Sequence, residues 1–188
     1  MFKRPAFHTF LKRVQEPRRF IQVMAGPRQT GKTTIGRQVA ETVSFPVHLA
    51  TADEPALRDR KWLIQQWETA RLKLTGEKKE KGGLLVLDGA QKISHWSETV
   101  KRLWDEDSGS GFRLKVVLLG SSPLLVQTGL TESLAGRFGV PPVTHRSYRE
   151  MKEAFGWGLE QYIFWVGILA LPVLSMNNSA GPGILSIL

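Results

Sequence analysis

The 188-residue chain has no cysteine. That absence removes disulfide frameworks, thiolate zinc sites, iron–sulfur clusters and thiol nucleophiles together, and it suits a reducing compartment, so a cytoplasmic location is expected. Histidine is sparse: His8, His48, His95 and His145 are scattered without metal-ligand spacing, so no imidazole metal site is expected. Long apolar runs are lacking too. The longest, Tyr162 to Met176, is interrupted by Gly167 and Pro172 and falls short of the roughly 20 residues a bilayer-spanning helix needs. It reads as a buried or aggregation-prone end segment, with Asn177 to Gly183 as a flexible turn after it, and a membrane partner is not expected. The basic N-terminus lacks the continuous apolar stretch of a secretory signal, so no export is expected. Acidic residues are outnumbered, 17 against 26 Lys and Arg, and the resulting charge of +9 favours polyanions: nucleotides, nucleic acids or acidic surfaces. From Gln161 to Leu188 there is no charge of either sign, which marks a compositional boundary.

What is present fits one domain with a core of its own. Apolar strand-like runs alternate with helical patterns, the signature of βαβ units around a parallel sheet. Phe7, Phe10, Leu11 and Val14 predict a short amphipathic helix before a first strand, Phe20 to Ala25. Ile35, Val39 and Val43 line a second helix, Phe45 to Ala50 forms a short strand, and Leu63, Trp67, Ala70 and Leu74 repeat along a third helix. GEKKEKGG reads as a solvated loop before a buried strand, Leu84 to Asp88. A helix with Trp96, Val100, Leu103 and Trp104 on one face follows; DEDSGSG, from Asp105 to Gly111, is expected to break it. Leu114 to Gly120 is a further buried strand, and Pro123 opens the next helix. The tryptophans Trp62, Trp67, Trp96 and Trp104 fall in or at the start of these helices and are expected to pack in the core or at an interface. The expected division is a basic segment, 1–18, an α/β domain, 19–160, and an uncharged tail, 161–188.

Directly after the first strand comes GPRQTGKTT, from Gly26 through Pro27, Arg28, Gln29, Thr30, Gly31, Lys32 and Thr33 to Thr34, which satisfies the P-loop pattern GxxxxGK[ST]. A glycine-bounded loop between a strand and a helix turns successive backbone N–H groups into one concavity, where the helix N-terminus adds partial positive charge. Phosphate is the natural occupant. Gly31 permits the tight turn, Lys32 can reach the β and γ phosphates, the Thr33 hydroxyl can ligate Mg²⁺, and Thr34 can touch the α phosphate. A second anchor for the cation is expected from an Asp ending a buried strand, and Asp88 is so placed.

These residues resemble the P-loop ATPases of the AAA superfamily that carry a GPRQxGKTT loop. The resemblance rests on GPRQTGKTT, LLVLDGAQKISHW (84–96), LLGSS (118–122) and ESLAGR (132–137), with TADEP and the Trp-rich helix after it, over roughly residues 10–160. It implies a three-layer αβα fold with a mostly parallel central sheet, ATP and Mg²⁺ as ligands, and hydrolysis coupled to a conformational task. It also implies that Ser121 and Ser122 act as a polar γ-phosphate sensor and that Arg137 acts as a phosphate-sensing or intersubunit arginine. Two departures bear on activity. Family members carry Asp-Glu where this chain has Asp88 and Gly89, so the carboxylate that polarises the attacking water is missing. General-base assistance contributes about 10² to 10⁴ in rate, so slow turnover with intact binding is expected unless Asp53 or Glu54 substitutes. Relatives also continue into a C-terminal domain, whereas here the similarity fades near Tyr162; this suggests a truncated or frame-altered member, without a complete lid or C-terminal domain, that relies on a protein partner or on copies of itself. The alternatives are a non-enzymatic module, in which a relic P-loop fold binds nucleic acid or protein through Lys3, Arg4, Lys12, Arg13, Arg18 and Arg19 or the apolar tail, and a small-molecule kinase, for which no acceptor pocket is suggested.

Overall fold

The computed structural model describes residues 2–53, 59–74, 82–120 and 134–170, with 166–170 described by their backbone alone. Two compact units divide the chain, residues 1–145 and 146–188.

In the first unit the order is α1 (Pro5–Gln15), β1 (Ile21–Ala25), α2 (Lys32–Thr42), β2 (Val47–Thr51), α3 (Arg60–Leu72), β3 (Gly83–Asp88), a 3₁₀ turn (Ala90–Lys92), α4 (Trp96–Gly109), β4 (Leu114–Gly120) and β5 (Phe138–Gly139). The strands form one sheet in the order β2-β3-β4-β1-β5, and every pairing is parallel. Parallel strands covered on both faces read as unbroken apolar runs, because neither side of the pleat meets water. Leu84 to Leu87 is such a run, and its residues alternate between two cores. Leu85 and Leu87 join Ile21, Val23, Val116 and Leu118 beneath α3 and α4, while Leu84 and Val86 join Met24, Val117 and Leu119 beneath α1 and α2. The expected three-layer αβα P-loop fold is therefore observed, and Trp62, Trp67, Trp96 and Trp104 are all buried in the first of these cores.

The structure departs from the sequence reading in several places. The fifth strand, two residues long, was not expected; its register against Ile21 and Gln22 holds it rather than any pattern of its own. Helix α4 does not break at Asp105 but runs on to Gly109. Its apparent breaker Asp107 is wholly buried, accepting the Trp67 indole N–H at 2.9 Å and the Arg71 Nε–H at 2.7 Å. Two of the six N-terminal basic residues face inward rather than towards a polyanion. Arg4 is buried and donates to the Thr30 carbonyl at 2.5 Å and the Thr144 carbonyl at 3.1 Å; Arg18 lies 3.5 Å from the centre of the Trp104 ring and donates to the Leu114 and Trp104 carbonyls.

The second unit holds α5 (Tyr148–Phe155) and α6 (Leu159–Ala170). A reciprocal capping box opens α5, the Ser147 Oγ accepting the Glu150 N–H and the Glu150 carboxylate accepting the Ser147 N–H, and left-handed Gly156 closes it. The apolar run beginning at Tyr162 continues α6, and its Ile163, Phe164 and Trp165 are exposed rather than buried. Among the described residues, no helix is long and apolar enough to cross a membrane. Residues 76–81 of the GEKKEKGG loop, the helix expected at Pro123 and the turn at 177–183 lie outside the described residues, while Gly83, the last residue of that run, already belongs to β3.

Candidate functional site

The register of the sheet assembles the site. Ala25 at the end of β1 lies opposite Gly120 of β4, Leu119 opposite Asp88 of β3, and Asp88 opposite Thr51 of β2. The four C-terminal strand ends therefore form one edge, the edge at which open α/β sheets bind ligands. The glycine loop, Asp88 and the residues just after β2 all emerge there.

From Ala25 the loop bends through left-handed Gln29 (φ 60°) to left-handed Gly31 (φ 79°), the N-cap of α2. Gly31 offers no capping side chain, and the Ile35 N–H is the donor to its carbonyl, so the N–H groups of Lys32, Thr33 and Thr34 precede the first intrahelical bond. They present an uncapped, partially positive helix end. Gly26 is required for a different reason. A Cβ there would lie 2.2 Å from the Val143 carbonyl oxygen, so only glycine lets the loop pass beneath the chain returning after β5.

The Lys32 ammonium is folded back onto the loop. It donates to the Gly26 carbonyl at 2.9 Å and to the Thr30 hydroxyl at 3.2 Å, and it also contacts the Pro27 carbonyl. Burial lowers its pKa from the usual lysine value, against the opposing pull of Asp88. The Thr33 hydroxyl donates to Asp88 Oδ2 at 2.6 Å. A hydroxyl and a carboxylate oxygen this close form a hard-oxygen pair of the kind that takes Mg²⁺ when substrate phosphate and water supply the other ligands. Among the described residues no cluster of three or more His, Cys, Asp or Glu could hold a metal by itself.

These groups line a cavity of about 390 Å³ with Arg28, Gln29, Gly31, Asp53, Gly89, Gln91 and Lys92. Three cations and two carboxylates leave the wall net positive. Asp53 is ion-paired with Lys92. Gly89 sits left-handed at φ 75° at the start of the 3₁₀ turn. Lys92 and Gln91 were not singled out from the sequence; their place in the motif carried the only signal, and the turn after β3 brings them in. Of the other expected site residues, Arg137 is not brought to the cavity. It precedes the strand that pairs with Ile21, at the opposite edge of the sheet, and its guanidinium is bound to Asp105 at 2.9 and 3.3 Å. Glu54, Ser121 and Ser122 lie outside the described residues; β4, which leads to the two serines, runs beside β3.

Comparisons with known proteins agree with this fold. No curated protein matches the sequence. Among solved structures, one titled "Structural Basis for Katanin Self-Assembly" is similar at 20% identity with a TM-score of 0.51, covering 79% of this chain and 48% of that one. A structure of a RuvB point variant from Thermotoga maritima is similar at 18% identity with a TM-score of 0.51, covering 79% of this chain and 45% of that one. At these identities the likeness shows a shared fold, and the chain spans about half the length of the solved chains it matches. The sequence model described as "AAA domain" matches residues 18–152, which take in the loop, the Asp88 strand and all five strands of the sheet, and the chain thus belongs to the AAA domain family.

Proposed function

We propose that the chain binds a magnesium nucleoside triphosphate, ATP by its resemblance, and hydrolyses it slowly. The observation that carries this reading is the convergence of Lys32, the Thr33–Asp88 oxygen pair and the uncapped start of α2 on one net-positive cavity. The triphosphate would take the N–H groups of the loop and the helix start. The Lys32 ammonium would exchange the loop carbonyls for phosphate oxygens, a substitution favoured because charge-assisted bonds to anionic oxygen are roughly twice as strong as bonds to neutral acceptors. Mg²⁺ would supply neutralisation of the phosphate charge, and Thr33 and Asp88 would be its protein ligands. Turnover is slow because Gly89 puts no carboxylate on the turn directly after Asp88, so any base has to act from another element.

The test is a calorimetric titration of the full chain with magnesium ATP, run beside Lys32→Ala. Binding by the wild type that weakens at least tenfold in the variant, about 1.4 kcal/mol, is the expected result. Equal affinities, or no heat with either protein, would dispose of the reading.

A further inference from the structure

We propose that Asp53 supplies the carboxylate that position 89 lacks, accepting the proton of the water that attacks the γ-phosphate. This rests on the nucleotide-hydrolysing reading above. Three observations place Asp53 there. First, the register of β2 on β3 sets Thr51 opposite Asp88, and the Ala52 N–H donates to the Asp88 carbonyl at 2.8 Å, so Asp53 leaves the sheet at the same edge as the cation-binding pair. Secondly, a Cβ built on Gly89 would lie 3.6 Å from Asp53 Oδ1 and 3.5 Å from the Lys92 side chain. Those are ordinary contact distances. Asp53 thus presents its carboxylate to the volume that an acidic side chain at 89 would enter, from the neighbouring strand. Thirdly, Asp53 lines both the 390 Å³ cavity and an adjoining one of about 250 Å³, and Thr33 and Asp88 line the same two, so the three oxygen-bearing side chains form a common wall.

The division of labour follows. Asp53 and Asp88 are the two carboxylates among the described lining residues. Asp88 is hydrogen-bonded to Thr33 and would hold the cation, so the base role falls to Asp53. Its ion pair with Lys92 is no obstacle: the Asp53 side chain is 65% exposed, and solvent-screened pairs of this kind part readily. In the step itself the water oxygen bonds to the γ-phosphorus as the bond from that phosphorus to the β,γ-bridging oxygen breaks. The bridging oxygen leaves on the diphosphate with both electrons of that bond. One water proton passes to Asp53 and then to solvent, and the products are nucleoside diphosphate and inorganic phosphate.

The experiment measures phosphate release and magnesium ATP affinity on the same samples of full-length wild type, Asp53→Asn, Asp53→Ser, Glu54→Gln, and Asp53→Asn combined with Gly89→Asp. Aspartate is chosen for position 89 because it tolerates the left-handed backbone there better than most residues. The expected result is a fall in kcat of about 10² to 10⁴ in both Asp53 variants. Affinity should stay within about threefold of wild type. Turnover should return at least in part when the carboxylate is restored from position 89, which a merely structural role for Asp53 would not produce. Unchanged kcat in both Asp53 variants, loss confined to Glu54→Gln, or equal losses of affinity and kcat would each overturn the proposal. A wild type that binds magnesium ATP but releases no phosphate above the Lys32→Ala background overturns it and leaves the binding reading intact; a wild type that does not bind removes both.

Discussion

At the scale of single residues, the loop pairs a functional constraint with a packing constraint, and the two separate experimentally. Gly26 is held by the Val143 carbonyl, 2.2 Å from where a Cβ would stand. Because the obstacle is main chain, Gly26→Ala must displace it, and a loss of about 1 to 3 kcal/mol in urea unfolding is expected. Lys32 is the opposite case, since its burial costs stability and its charge serves binding. With its pKa lowered in the fold, it sheds its proton before the unfolded chain does as pH rises towards 10.5. In that window the unfolded state binds more protons, so this residue makes stability increase with pH. Lys32→Met should therefore lose that alkaline gain, as read from urea midpoints over a pH series, while failing to bind nucleotide. At Gly89 a non-glycine residue held left-handed at φ 75° is strained by about 1 to 2 kcal/mol whatever room its side chain finds.

At the scale of elements, α4 shows why local breaker signals fail. DEDSGSG has the composition of a turn, yet tertiary bonds carry the helix through it. Asp107 caps the Trp67 indole and pairs with Arg71 of α3, so the two helices on that face of the sheet are tied by a buried charge. Burial pushes its carboxyl pKa up, against the pull of Trp67 and Arg71. Removing one partner of such a pair strands the other, so Asp107→Ala should cost about 3 to 5 kcal/mol in chemical denaturation. Asp107→Asn, which keeps an acceptor for the indole, should cost less. Helix α1 makes a related point. Its apolar spacing was legible as an amphipathic helix, but the inward turn of Arg4 onto the Thr30 carbonyl was not, because a basic residue in a basic segment has no sequence mark distinguishing a clamp from a solvated charge.

At the scale of the whole molecule, both hydrophobic cores and every described residue of the candidate site fall within residues 1–145. A fragment ending at His145 should therefore unfold cooperatively and keep the nucleotide affinity of the full chain, which circular dichroism and titration would check. Two kinds of information separate here. The chemistry of the loop is written in consecutive residues, and a strand, a glycine turn and a helix start are local structures, so GPRQTGKTT alone announced a phosphate cradle. Buried strands were equally plain, since a run covered on both faces must be apolar throughout. What the chain order does not contain is adjacency. That β4 lies between β1 and β3, that Arg137 belongs to the far edge, and that Asp53 and Asp88 share one wall all follow from parallel register. Register is settled by which apolar faces the helices cover, a choice made only when the sheet packs.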